Sequence, residues 1–457
     1  MSVTTALIKN LFSGGLGKFS TVIIRLIQVP ILISALGVKD YGVWLVLSSL
    51  PAWLTMANLG FGSVAANEIT MLVAADNNKK ANEIYSTTLM LVAIIACIGI
   101  IIVSLIVPFI NWKSFFSDSP QNNTEFVSTI LLLSLSVFIS FSSEVFNSRF
   151  RAAQKVYQSM LLSSARPWID LLGIVIVVSL NVKFHYLALA SLVSTVLFLV
   201  ITIFLSRSVY SSMRFKFTNT RKEYLKFLFS KGFAFQAFPL GNAVLYQGSL
   251  IVIQTIIGSS AVALFGTART LVRSVNQMME LINQAIWPEL SYILGVKDFE
   301  KARKLHRFGV SVSFFLAISG TIFLVLFGQT LYSKWTGNAL KLDTVLLILF
   351  LIPIPFNALW NTSGVVHVAC NQHEKLATFY LIANLLSIIG CIGLSYFWGI
   401  KGAALSTLIA DVVLIPFVFA KSLMLTNDNW IDFRNGVFSL KNSSYNIKKF
   451  YSRTFNK

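Results

Sequence analysis

Residues 37–68, GVKDYGVWLVLSSLPAWLTMANLGFGSVAANE, and residues 258–289, GSSAVALFGTARTLVRSVNQMMELINQAIWPE, decide the fold because both follow one plan. Each begins at a glycine suited to a turn, continues as an apolar stretch of helical length and ends at a glutamate. Gly37 corresponds to Gly258, and Glu68 to Glu289. The chain is therefore predicted to contain one membrane unit of six helices twice.

The composition indicates a membrane protein. Hydrophobic residues make up 55% of the 457 positions and charged residues 12%, which leaves too little polar surface for a soluble globule. A bilayer core of roughly 30 Å needs about 20 apolar residues per helix, whereas barrel strands are shorter and alternate in polarity. The fold class is therefore predicted to be all-α, with twelve spans at 11–36, 42–66, 86–109, 127–147, 158–182, 184–206, 227–257, 261–287, 309–332, 344–369, 377–399 and 402–424.

Lysine and arginine are unevenly distributed between the predicted loops. Of the 37, 28 fall in loops or near span ends on the side of the N terminus and six on the other side, while Arg25, Arg269 and Arg273 lie deeper within spans. Because cytoplasmic loops are enriched in these residues, both termini are predicted to be cytoplasmic. The bias also accounts for the net charge of +19. It favours contact with anionic membrane lipids and argues against nucleic-acid binding, since the basic residues do not form one soluble face.

The repeat also predicts the domain organisation. Six spans is an even number, so the second copy enters the membrane from the same side as the first, and a pseudo-two-fold axis runs along the membrane normal. The expected parts are an N-terminal six-helix bundle at 1–210, a basic cytoplasmic linker at 211–226, a C-terminal six-helix bundle at 227–425 and a polar cytoplasmic tail at 426–457. A substrate is expected between the two bundles.

No catalytic or metal site is predicted. The four histidines lack the i, i+4 spacing of a zinc-binding helix, and the three cysteines have no metal-ligand spacing. The longest predicted external loop, near 111–125, leaves no room for a catalytic fold. The chain is therefore predicted not to be an enzyme.

Three arginines lie where a span should be apolar, Arg25 in the first predicted helix and Arg269 and Arg273 in the eighth. A charge at a helix centre costs on the order of 3 kcal/mol, so such residues usually face water or a partner. At 100° per residue the eighth helix places its arginines on one side with Asn276, Gln277, Glu280 and Gln284. Together with Lys18 and Arg25 they are predicted to line an aqueous cavity for a diphosphate or an acidic sugar, anions that guanidinium groups bind bidentately.

An alternative for these arginines stays open, in which they pair with Glu280, Asp170 or Asp411 and only hold helices together. Asp170 and Asp411 lie deep in predicted spans, where a carboxylate can carry a coupling proton or sodium ion. They are the predicted ion-coupling residues, with an interhelical hydrogen bond as the structural alternative. No further cofactor is expected.

The segment 36–44, LGVKDYGVW, followed by Asn58-Leu59-Gly60-Phe61-Gly62, resembles the opening of Wzx-type polysaccharide flippases. These belong to the multidrug/oligosaccharidyl-lipid/polysaccharide (MOP) exporter superfamily. Residues 287–291, WPELS, resemble the Pro-containing turn that often ends the eighth helix of the family. Family members often have Asp where this chain has Asn58, so the chain departs from the family pattern by lacking an acidic group at that position.

The resemblance implies two bundles arranged as in the related multidrug extrusion (MATE) transporters. It also implies a flippase that moves an undecaprenyl-diphosphate-linked oligosaccharide repeat unit across the bacterial inner membrane by alternating access, for O-antigen or another surface polysaccharide. The implied partners are that lipid-linked glycan, membrane lipids and other polysaccharide assembly proteins. A MATE-type multidrug or cation antiporter is the alternative; the span arginines disfavour it, because a cation exporter should line its cavity with acids.

Overall fold

The computed structural model describes residues 3–180, 183–234, 236–370 and 372–438, apart from the side chains of 3–12, 18, 230–234, 288 and 373. No β-strand occurs in these residues, and the all-α prediction is confirmed. The helices are α1 (Val3–Ala52), α2 (Phe61–Ala74), α3 (Asn78–Ile106), α4 (Trp112–Phe115), α5 (Asn123–Ala152), α6 (Val156–Leu180), α7 (Phe184–Val209), α8 (Glu223–Ala234), α9 (Ala237–Ala243), α10 (Ser249–Ile256), α11 (Ser259–Gly295), α12 (Phe299–Trp335), α13 (Thr344–Leu351), α14 (Pro353–Ala369), α15 (His373–Leu425) and α16 (Trp430–Phe438).

Eight helical segments of the described residues are long and apolar enough to cross a membrane, and the chain is a multi-pass membrane protein. Their outer faces expose large apolar side chains such as Ile101, Phe204 and Phe397, as a surface in contact with lipid would. Two segments, Ser13–Ala74 and Glu374–Leu425, have 62 and 52 residues. At about 1.5 Å per residue each exceeds two crossings of a roughly 30 Å core. The count of twelve and the orientation of the termini stay predictions.

Glycines with positive φ lie at the turns between long helices. Gly37 bends α1 at φ 77°, Gly399 bends α15 at φ 56°, and Gly258 precedes α11 at φ 108°. Only glycine adopts this region without steric cost, so the two turns expected from the repeat are present. Next to them, a Cβ at Gly42 would lie 1.8 Å from the Ser259 carbonyl oxygen. The corresponding turns of the two repeats therefore pack backbone against backbone.

The chain divides into two compact units, Met1–Gly266 and Thr267–Lys457, with the division inside α11. In the first unit α2, α3 and α5 share a core that includes Phe61, Tyr85 and Phe138, each nearly or fully buried. In the second unit α11 and α14 pack Ile286 and Leu290 against Val365 and Val366. The predicted bundle boundaries, 1–210 and 227–425, stay predictions.

The basic linker at 211–226 is fixed to the first unit by hydrogen bonds. Arg149 of α5, itself buried, donates to the Ser206 hydroxyl at 3.2 Å and to the Met213 carbonyl at 2.8 Å. Three linker N–H groups also donate to side chains of α3 at 3.0–3.3 Å: Arg214 to Asn82, Lys216 to Ser86 and Arg221 to Thr87. These hydrogen bonds hold the linker along the first turns of α3.

The predicted tail, 426–457, contains α16, which packs on α12 in the second unit. Phe433 and Val437 of α16 are buried there. The Arg307 guanidinium of α12 donates to both carboxylate oxygens of Asp428 just before α16, through Nε at 2.8 Å and through the second nitrogen. Residues 439–457 lie outside the described residues.

Two predicted spans are not continuous helices. Within 42–66 the helix tightens to a 3₁₀ turn over Trp53–Asn58, and Leu59 and Gly60 then take left-handed φ values of 45° and 65°. Within 227–257, α8 ends at Ala234, α9 starts at Ala237, and a π-helical turn covers Val244–Gly248. The predicted span limits do not show these interruptions, because apolar run length does not report the local turn that Asn58-Leu59-Gly60 permits.

Candidate functional site

The polar side of α11 is formed by one uninterrupted helix. Arg269 and Arg273 lie on it half-buried, while Leu271, Val275 and Ile286 are buried on the other side. The predicted set Arg269, Arg273, Asn276, Gln277, Glu280 and Gln284, called here the α11 stripe, therefore shares one side of the helix. Arg269 also lies close enough to Cys391 of α15 to act on it electrostatically.

The amides of the α11 stripe have unsatisfied acceptors. Asn276 Oδ1 and Gln277 Oε1 are shielded from solvent and have no hydrogen-bond partner in the described part of the chain. Gln284 at the far end is exposed. Buried polar atoms without partners are costly in a folded protein and mark places where water or a ligand group can bind.

The other predicted cations lie in the first unit. Arg25 is exposed on α1, and the Lys18 side chain lies outside the described residues. Arg25, Arg269, Arg273 and Glu280 each interact with a neighbouring group. A common cavity for these residues stays a prediction.

The two carboxylates predicted for ion coupling have different surroundings. Asp411 of α15 is buried, and its Oδ1 accepts hydrogen bonds from Trp360 Nε1 at 2.6 Å and Asn357 Nδ2 at 3.1 Å, both on α14. Asp170 lies near Arg166 of its own helix and near Ser194 of α7. Asp411 thus makes the interhelical hydrogen bonds of the structural alternative, and neither acid has an arginine of the α11 stripe among its described partners.

Sequence reasoning missed a polar group around the break between α1 and α2. Glu144 of α5 is exposed within its span, and the Asn58 side chain is its polar neighbour. A Cβ on Gly62 would lie 2.5 Å from the Glu144 Cβ, so a glycine is needed for this approach. The motif Asn58-Leu59-Gly60-Phe61-Gly62 is visible in the sequence, but its partner eighty positions later is not.

Neither unit offers a metal centre in its described residues: no three His, Cys, Asp or Glu side chains come together closely enough to hold an ion. The free cysteines Cys97, Cys370 and Cys391 are respectively exposed, half-buried and buried.

Comparison with known sequences places the chain in a family. The sequence model of the polysaccharide biosynthesis protein family matches residues 7–294. A Salmonella typhi protein named "Putative O-antigen transporter" is 24% identical over 419 residues, which cover 85% of this chain and 89% of the relative. A Shigella dysenteriae protein of the same name is 24% identical over 172 residues, 37% of this chain and 42% of the relative.

Solved structures show the same fold. An inward-facing MATE multidrug transporter of the MOP superfamily superposes with a TM-score of 0.68 at 17% identity, covering 89% of this chain and 99% of its own. A MOP superfamily transporter from Pyrococcus furiosus, described as having a reverse polarity of its binding pocket, gives a TM-score of 0.62 at 15% identity and covers 92% of this chain and 96% of its own. The expectation of a transporter and not an enzyme is confirmed. The chain, with its MATE-like MOP transporter fold, belongs to the polysaccharide biosynthesis protein family.

Proposed function

We propose that the protein is a flippase that moves an undecaprenyl-diphosphate-linked oligosaccharide repeat unit across the bacterial inner membrane by alternating access, for O-antigen or another surface polysaccharide. The family membership and the O-antigen transporter relatives support a polysaccharide cargo. The MATE-like fold supports transport by two moving units.

The observation that carries the proposal is the α11 stripe. Arg269 and Arg273 are held half-buried on one helix side, one turn apart, followed by two amides with unsatisfied oxygens. Guanidinium groups suit the diphosphate, and amide oxygens can accept hydrogen bonds from sugar hydroxyls. In this proposal Arg25 and Lys18 add positive charge from the first unit, and Gln284 and Glu280 continue the polar surface.

The test replaces both stripe arginines by alanine in a strain that lacks the chromosomal gene. Lipid-linked repeat units are then assayed by leaflet, and surface polysaccharide is measured on gels. The double variant should accumulate the repeat unit on the inner leaflet and lose most surface polysaccharide. Arg434→Ala, which removes an exposed arginine of α16, is the matched control. Unimpaired delivery by a well-expressed double variant would remove the stripe from the mechanism.

A coupling proton or sodium ion is the second part of the proposal, with Asp170 and Asp411 as its sequence-derived sites. Asp411→Asn retains an oxygen that can accept from Trp360, so it should preserve the fold and reduce transport. Drug susceptibility measured in the same strains tests the multidrug alternative, whose fold is shared. If the protein exports drugs, deletion should sensitise the strain while surface polysaccharide is unchanged.

A further inference from the structure

Two broken helices meet inside the first unit. The first break is the 3₁₀ turn Trp53–Asn58 with left-handed Leu59 and Gly60, and the second lies at the start of α9. With its amide oriented to face these donors, the Gln236 side-chain oxygen accepts from the backbone N–H groups of Leu59 at 3.2 Å and Gly60 at 2.9 Å. One side chain thus ties the second break to the first.

Broken helices have a specific meaning in a membrane. Backbone groups freed from a helix find no water in lipid, so such breaks occur only within protein or beside a wet cavity. Leu59 at φ 45° adds strain, since a non-glycine residue rarely takes this conformation. In transporters, unwound backbone and the carbonyl ends of half-helices coordinate coupling ions. Packing alone therefore does not explain the break at Leu59 and Gly60.

Oxygen ligands converge at the first break. Glu144 brings a carboxylate from α5, and the neighbouring Asn58 has an Oδ1 that is sealed from solvent without any hydrogen-bond partner. The 3₁₀ turn ends at Asn58; the Met56 carbonyl accepts from the Leu59 N–H at 3.2 Å, and the carbonyl groups of Ala57 and Asn58 follow it at the helix end, where no onward helix continues. The group thus has one negative charge and one amide oxygen without a hydrogen-bond donor, while the Asn58 NH2 faces the Glu144 carboxylate.

The charges around Glu144 are few. Arg151, two turns further along α5, acts on it electrostatically and donates to Asn67 of α2 at 3.1 Å. The 3₁₀ turn carries no charged side chain, and α2 carries only Glu68. An exposed carboxylate in a spanning helix is costly against lipid, so water or a bound cation would stabilise Glu144 beyond what Arg151 and Asn58 supply.

We propose that Glu144, Asn58 and the carbonyl end of the 3₁₀ turn form a binding site for one monovalent cation, a proton or Na⁺, at the crossing of the two broken helices. The site is separate from Asp170 and Asp411. Its use in transport rests on the proposed function. Loading would neutralise Glu144 and stabilise the unwound turn, so occupancy would be linked to the geometry of the second span.

The test uses the purified full-length protein in lipid nanodiscs without any glycan. Binding of ²²Na⁺ is measured by scintillation proximity, and proton uptake is measured with an indicator dye after a pH step. Wild type should bind about one Na⁺ per chain or take up a proton that Glu144→Gln does not. Glu223→Gln, which removes an exposed acid of α8, should match wild type in both measurements.

Exchanging the carboxylate and the amide between positions 144 and 58 distinguishes the loss of a cation ligand from the loss of the fold. Glu144→Gln combined with Asn58→Asp moves the carboxylate across the pair and should recover at least half of the cation binding lost in Glu144→Gln. Full wild-type binding and proton uptake in Glu144→Gln, or neither signal in wild type, would overturn the site. No recovery in a swap variant that melts like wild type would also overturn it. Because no glycan is present, these outcomes do not depend on the α11 stripe.

Discussion

Replacing Gly42 by alanine should destabilise the first unit through a backbone clash. The added Cβ would lie 1.8 Å from the Ser259 carbonyl oxygen, 2.6 Å from its carbon and 3.2 Å from its Cα. Contacts of a Cβ with a heavy atom are essentially never closer than 3.0 Å, so the two turns must separate by roughly 1 Å. Overpacking a close contact typically costs about 1–3 kcal/mol, and a rigid backbone neighbour places this site toward the upper end.

The assay is thermal unfolding of the purified protein in detergent. Gly42→Ala should melt below wild type, and Gly42→Val lower still. Gly393→Ala is the matched control, since it also adds a methyl group to a spanning helix but has no heavy atom within 4 Å of the new Cβ. The control should melt at or above wild type, because alanine favours helix over glycine by up to about 1 kcal/mol. Equal melting of the Gly42 and Gly393 alanine variants would refute the backbone contact.

Two further outcomes concern the second unit. Arg307→Ala should leave the fully buried Asp428 carboxylate without its ion-pair partner, which should lower the free energy of unfolding by roughly 3 kcal/mol. Backbone hydrogen exchange should then rise in α16, and unchanged protection there would contradict the role of this ion pair. Hydrogen bonds from Lys301 hold the pKa of Asp298 below its usual range, so its contribution is present at neutral pH and is lost as pH falls below about 4. Melting curves of Asp298→Asn and wild type should therefore converge on acidification, and a gap that widens would contradict this.

The turns of the fold could be predicted from single residues. Gly37 and Gly258 stand where apolar runs begin again, and both have positive φ. Such turns depend on local backbone sterics, and the position of a glycine in the sequence indicates them directly. The all-α class follows with equal directness from continuous apolar runs.

The polar contacts could not be predicted in the same way. Gln236 accepts hydrogen bonds from the backbone N–H groups of Leu59 and Gly60, which lie far earlier in the chain. Glu144 of α5 lies beside the Asn58 side chain. Both contacts join residues distant in sequence, and period and composition carry no information about such pairs. The side of α11 that carries Arg269 was predictable because it depends on helix periodicity alone.

The α11 stripe and Gln236 lie in a region whose described helices do not qualify as membrane spans by length and hydropathy. Residues 223–295, from α8 to α11, contribute none of the eight described segments that qualify as spans by length and hydropathy. Arg269 and Arg273 lower the hydropathy of α11, and the breaks around α9 shorten its neighbours. A polar group in a span raises the free energy of membrane insertion whatever its role, so chains keep such groups where binding requires them. The weak hydropathy of this region therefore supports a functional role for the α11 stripe and for Gln236, whose side chain joins the two helix breaks.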